Sequence, residues 1–75
     1  MAKKEIDRIR LKKFGEHLKK LREERGLSVR ELAARCDVDF SKISKLENNT
    51  GNITLTTLFE LAEGLDVEMS KLFDY

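Results

Sequence analysis

Between Ser28 and Asn49 the chain reads SVRELAARCDVDFSKISKLENN, and this stretch restricts most strongly what the rest can fold into. Val29, Leu32, Ala33 and Cys36 recur at i, i+3, i+4 and i+7, the spacing of one apolar helix face. The period breaks at Asp37-Val38, and Ile43 and Leu46 then resume it. Phe40, Ser41, Ser44 and Lys45 point away from that second face. The pattern predicts two short amphipathic helices joined by a tight turn. A short helix with small and polar residues on its free face suits the major groove of DNA. The remaining residues are expected to build the scaffold that holds this pair.

Seventy-five residues suffice for one domain with a single core. With no proline or tryptophan and one tyrosine, and with Leu, Lys, Glu and Arg abundant, the composition predicts helices and no strands. No apolar run approaches the roughly 20 residues that span a membrane, and no signal-peptide pattern opens the chain. Cys36 is the sole cysteine and His17 the sole histidine, which excludes an intrachain disulfide framework and a zinc site. Cys36 reads as a small buried apolar residue in a reducing cytoplasm. Net charge is only +1, but it is unevenly spread. Residues 1–30 hold eleven Lys/Arg against five Asp/Glu, and residues 31–75 hold four against nine. A chain so polarised can turn a basic face to phosphates, although an ordinary solvated helix surface gives the same count.

The first seven residues, MAKKEID, are polar and read as a flexible basic arm or a helix extension, with the folded domain at 8–75. From about Arg8 a long helix is expected, with Leu11, Phe14, Leu18 and Leu21 on its apolar face and Ile6 and Ile9 extending it backwards. Gly15 within it suggests close packing by another helix, and Gly26 is its natural C′ stop. Ser28 with Glu31 forms a capping box for the second helix, and Leu27 can pack down as a staple. Asp37 is expected to close that helix in the left-handed region, with Val38 as the buried residue of the turn. Asp39 then caps a third helix running from Phe40 to Glu47 or Asn48. Residues 48–52 form a loop by composition. Thr54 caps a fourth helix whose core face reads Leu55, Leu58, Leu61, Ala62 and Leu65, ending on Asp66. Val67, Met69, Leu72 and Phe73 mark a short last helix from about Glu68 to Phe73. The fold class is all-α, five helices in one domain.

LREERGLSVRELA, DVDFSKISKLENN and TLFELAEGLDV together resemble the lambda-repressor-like helix-turn-helix domains of the Cro/CI or XRE type. The resemblance covers about Phe14 to Phe73. It implies a DNA-binding transcription regulator, a repressor acting as a homodimer on an inverted-repeat operator of double-stranded DNA, with helix three in the major groove. Asp37 and Asn49 stand where the family usually has glycine, Ile53 where it often has proline, and Val29 where a polar residue is common. Asp and Asn replace glycine best at positive φ. Arg22 and Glu47 match a pair that joins the first and third helices in relatives. Each also interrupts an apolar stripe, so a buried bidentate pair is expected.

By the same resemblance Phe40, Ser41, Ser44 and Lys45 face base edges. Lys45 can donate to guanine O6 or N7, and Phe40 can pack on a thymine methyl group. Phe40 as a core residue, and Lys42 and Lys45 as phosphate contacts only, are the competing readings. Arg25, Ser28, Val29 through its amide, Arg30, Lys42, Asn48, Asn49 and Thr50 are the phosphate candidates, with Lys3, Lys4, Arg8 and Arg10 as a possible basic arm. Ile53, Met69, Phe73 and Tyr75 are expected at the dimer interface, against the alternative that Met69 and Phe73 close the core. The inventory holds no metal cluster, no glycine-rich phosphate loop and no nucleophile beside His17, so neither an enzyme nor a cofactor or small-molecule site is expected. A protein-interaction or antitoxin-like module on the same fold is the rival function, because fold alone does not fix function.

Overall fold

In the computed structural model, which describes residues 2–75, each long apolar period becomes a helix and each helix is set by its ends. The elements are α1 (Lys3–Glu24), α2 (Val29–Ala34), α3 (Phe40–Glu47), α4 (Leu55–Leu65) and a 3-10 helix (Met69–Phe73). Helix α1 starts at Lys3, so residues 3–7 continue its first turns. At the start of α2 both halves of the capping box form. The Glu31 N–H donates to Ser28 Oγ at 3.0 Å and the Ser28 N–H donates to Glu31 Oε1 at 2.9 Å. Thr54 Oγ1 accepts from the Thr57 N–H at the start of α4, whereas Asp39 precedes α3 without a side-chain capping bond.

Three α-helices stop on left-handed residues, Gly26 (φ 70°), Asn49 (φ 67°) and Asp66 (φ 58°). At all three, paired bonds return to the last turn. Leu27 N–H donates to Arg22 O and Gly26 N–H to Glu23 O, while Thr50 N–H donates to Lys45 O and Asn49 N–H to Leu46 O. At the third, Val67 N–H donates to Ala62 O and Asp66 N–H to Glu63 O. These bonds satisfy carbonyls that a helix end otherwise leaves open. Asn49 therefore does what a glycine would do there.

Asp37 does not. Its φ is not positive, and α2 ends earlier, on Arg35 in the right-handed region. The turn through Asp37 is held by α4 instead, since the Asp37 N–H donates to Glu60 Oε1 at 2.8 Å. A tertiary carboxylate supplies the constraint that the sequence placed in local backbone conformation.

Phe14, Leu18 and Leu21 of α1, Leu32 of α2, Val38 of the turn, Ile43 and Leu46 of α3, Leu61, Ala62 and Leu65 of α4, and Leu72 form one buried cluster. Leu55, expected in this core, is 61 % exposed. Leu61, Ala62 and Leu65 are buried as expected and Leu58 packs against the core, so Leu55 alone falls outside, while Thr57 and Gly64 complete the inward face. Gly64 lies where α2 approaches, and a Cβ there would meet Leu32 Cδ1 at 3.0 Å. The last element is a 3-10 turn rather than an α-helix; it is five residues long and buries Leu72. His17 ties it to α1 through a 2.8 Å bond between Nε2 and Lys71 O.

Helix α3 is fastened to α1 at two places. Gly15 lies so close to α3 that an added Cβ would collide with Leu46 O. Two α-turns further along, Arg22 Nε donates to Glu47 Oε2 at 2.7 Å and Nη2 to Oε1 at 2.9 Å. The remaining Nη1 donates to Leu27 O at 2.7 Å. The two side chains are 10 % and 6 % exposed. Hydrogen bonding to Glu47 holds the guanidinium in its charged form more strongly than burial opposes it. Glu47→Ala leaves that cation buried without its partner and should cost about 3–5 kcal/mol. Urea titration of the variant checks this, and an unchanged midpoint would remove the pair from the account.

Candidate nucleic-acid interface

Two apolar residues of α3, Ile43 and Leu46, anchor it, and this decides what its other side shows to solvent. Phe40, Ser41, Lys42 and Lys45 are exposed there, and Ser44 is half-buried. Ser41, Lys42 and Lys45 line a shallow cleft against Thr50, Gly51 and Asn52 of the following loop. None of the three side chains carries an ion pair or a hydrogen bond among the described residues, so their polar groups are free to meet a ligand. Phe40 is 42 % exposed and stays out of the core. It lies under the Arg30 guanidinium, whose central carbon is 4.1 Å from the ring centroid.

The flanking positions divide. Val29 and Arg30 open α2 beside the start of α3, and Ser28 precedes them. The Ser28 N–H and the Glu31 N–H are both occupied by the capping box, so any anion contact at this end falls to the amides of Val29 and Arg30 and to the Arg30 side chain. Asn48 is exposed at the far end of α3. Asn49 is half-buried, its Oδ1 facing Gly15 without a hydrogen-bond partner. Thr50 Oγ1 donates to Lys45 O at 3.1 Å and serves the helix end. Arg25 is directed elsewhere, its Nη2 donating to Asp66 O at 3.3 Å.

The residues expected to join two copies are not one patch. Ile53 and Met69 are half-buried against the core. Phe73 is 51 % exposed but stacks on Phe14 with ring centroids 5.6 Å apart, and Tyr75 tilts over His17 at 5.0 Å. The most exposed apolar side chains with a shared helix face are instead Leu55 and Phe59, at 61 % and 53 %. The sequence reading missed Phe59 and placed Leu55 inside. Leu55, Leu58, Phe59, Leu61, Ala62 and Leu65 together cover more of the circumference of α4 than one core-facing stripe needs. That excess was the available signal. The Arg30–Phe40 stack had none, because both residues look solvent-exposed on their own helices.

A helix-turn-helix family model matches residues 18–72. The control protein C.MunI of Mycoplasma sp is 40 % identical over 62 residues, covering 81 % of this chain and 84 % of that protein. The crystal structure of the restriction-modification controller protein C.AhdI from Aeromonas hydrophila superposes with a TM-score of 0.84 at 37 % identity, covering 87 % of this chain and 98 % of that one. The restriction-modification controller C.Esp1396I, solved as a tetramer in complex with its natural 35 base-pair operator, superposes with a TM-score of 0.78 at 33 % identity, covering 85 % and 84 %. The chain belongs to the helix-turn-helix family.

The α2 cap gives this face a pH dependence. The Ser28 N–H, then the Ser28 hydroxyl, hold the Glu31 carboxyl below its ordinary range. Because the folded value lies below the unfolded one, the stabilisation is complete above the ordinary carboxylate range and is lost as pH falls through the lowered value. Glu31→Gln should flatten the acid side of the stability profile. Urea titrations between about pH 6 and pH 3 measure this; an identical slope in both proteins would show that the carboxylate makes no difference to the cap.

Proposed function

We propose that the chain is a transcription regulator that binds an inverted-repeat operator in double-stranded DNA as a homodimer, with α3 in the major groove. The observation that carries this reading is the free outer face of α3. Phe40, Ser41 and Lys45 stand exposed on a helix whose other side is locked to α1 by a buried ion pair and a glycine contact. A backbone held this way brings these side chains to base edges with only their own rotamers still to order. Lys45 reads guanine, Phe40 a thymine methyl group, and Ser41 adds a contact of low information. Half-buried Ser44 is a lesser base contact.

Phosphates are held on both sides of the groove, by Arg30, Lys42 and the α2 amides at one end and by Asn48 at the other. Such contacts set register and orientation and carry no sequence information themselves. Lys4 and Arg8, on the first turns of α1, border the loop at Asn49–Asn52 and extend this basic rim. The setting of a restriction–modification controller is supported by the likeness to C.AhdI and to C.MunI. This reading also places the protein in the cytoplasm and assigns it binding rather than catalysis. No helix among the described residues is long and apolar enough to cross a membrane.

One recognition helix touches only a few base pairs, so a symmetric pair is needed to define an operator. We assign the dimer contact to the Leu55–Phe59 face of α4. Two exposed apolar side chains one turn apart form a patch that self-association would cover.

Two measurements test the proposal. Lys45→Ala should weaken binding to the preferred duplex about tenfold or more and to random duplex much less. Equal losses on both would reduce Lys45 to a phosphate contact, and binding indifferent to salt would favour the protein-interaction module instead. Phe59→Asp should sediment as a monomer while keeping its helical circular dichroism. An intact dimer would place the interface elsewhere.

A further inference from the structure

The Arg30 guanidinium lies over the Phe40 ring across the turn between α2 and α3. Arg30 has no carboxylate partner and no side-chain hydrogen bond among the described residues, in contrast to Arg22, where all three guanidinium nitrogens donate. Its cation is therefore placed by the aromatic face, an attraction between positive charge and π-system that the planar guanidinium makes over a broader contact than an ammonium would. The ring is held in return. Phe40 is the first residue of α3, its neighbour Asp39 makes no side-chain capping bond, and the ring, 42 % exposed, borders an open cleft shared with Arg30, Ala33 and Cys36. Without Arg30, an exposed phenylalanine at this position samples several rotamers.

We propose that Arg30 is the positioning residue for methyl-group readout: stacked on one face of Phe40, it fixes the ring so that its remaining surface meets the C5-methyl group of one thymine per half-site. This rests on the assignment of Phe40 as a base contact and deepens it. It also gives Arg30 a role that a phosphate contact does not have. A phosphate contact weakens binding to all sequences alike and changes its salt dependence. A positioning residue changes which base is preferred while touching none.

Replacing single thymines by deoxyuridine in the duplex of highest affinity removes only the methyl group, so the ratio of the two dissociation constants isolates its contact. The wild-type protein should show a ratio of about four at one thymine per half-site, the factor that burial of one methyl-sized group gives. Phe40→Ala should bring that ratio to about one. Arg30→Ala should bring it below about two. Arg30→Lys should fall between that value and the wild-type ratio while keeping the salt dependence, because an ammonium still attracts the ring but has no plane to cover it. Both residues are exposed, so equal melting temperatures across the series keep the comparison one of binding. A ratio of about four that survives in both Arg30 variants would overturn the proposal and leave Phe40 as an independent reader. A wild-type ratio of about one at every thymine would overturn the Phe40 assignment itself, and the coupling with it, while leaving Lys45 readout standing.

Discussion

The bidentate pair between Arg22 and Glu47 is the interaction on which the geometry of this protein depends. A cation and an anion this deeply enclosed are expensive to remove from water, and their mutual attraction offsets that cost only when the remaining donors are used. Here they are: Nε and Nη2 bind the carboxylate, and Nη1 binds the Leu27 carbonyl at the entry to α2. One guanidinium thus fixes the last turn of α1, the loop that leads into α2 and the last turn of α3. A hydrophobic pair of equal volume would fill the space but leave the rotation of α3 about its axis to packing alone. The planar fork sets direction as well as distance.

The rest of α3 follows from that anchor. Gly15 lets α1 approach the Leu46 carbonyl, Asn49 in the left-handed region turns the chain away, and Thr50 returns two bonds to Lys45 O. The polar groups needed to hold α3 are spent on its inner side and its end, so Ser41, Lys42 and Lys45 are left for a ligand. Helix α4 shows the opposite division. Its inner face is complete with Thr57, Leu61, Ala62, Gly64 and Leu65, and its outer side carries exposed Leu55 and Phe59 beside Thr56 and Glu63. The proposed function uses these two faces separately, the polar one for nucleic acid and the one bearing Leu55 and Phe59 for a second copy.

Much of this was readable in the sequence because it is local or because it breaks a pattern. Ser28 with Glu31, Thr54, Gly26, Asn49 and Asp66 act on their own helix ends, within a few residues. Arg22 and Glu47 stood out as charges inside apolar stripes, and a charge so placed needs a partner. What could not be read depends on contacts between elements. Asp37 looked like a left-handed stop, but Glu60 from α4 holds its N–H and no positive φ is needed. Leu55 was misplaced because the apolar arc of α4 is wider than the face the core takes, and the approach of α2 at Gly64 decides which edge is left out. The final helix tightens to 3-10 geometry because its five residues must bring Leu72 inward and present Lys71 O to His17. At the reading face the residues were identifiable but their mutual contact was not, since Arg30 and Phe40 meet only once α2 and α3 are folded together.

The central claim is that α3, held by the Arg22–Glu47 pair, reads sequence in DNA as half of a symmetric unit. Selection from a random duplex library at fixed salt tests it most directly. The account predicts enrichment of an inverted repeat whose half-sites lie about one helical turn apart, each carrying a guanine and a thymine at fixed spacing. Recovery of duplexes without a shared sequence, or without twofold symmetry, would contradict it.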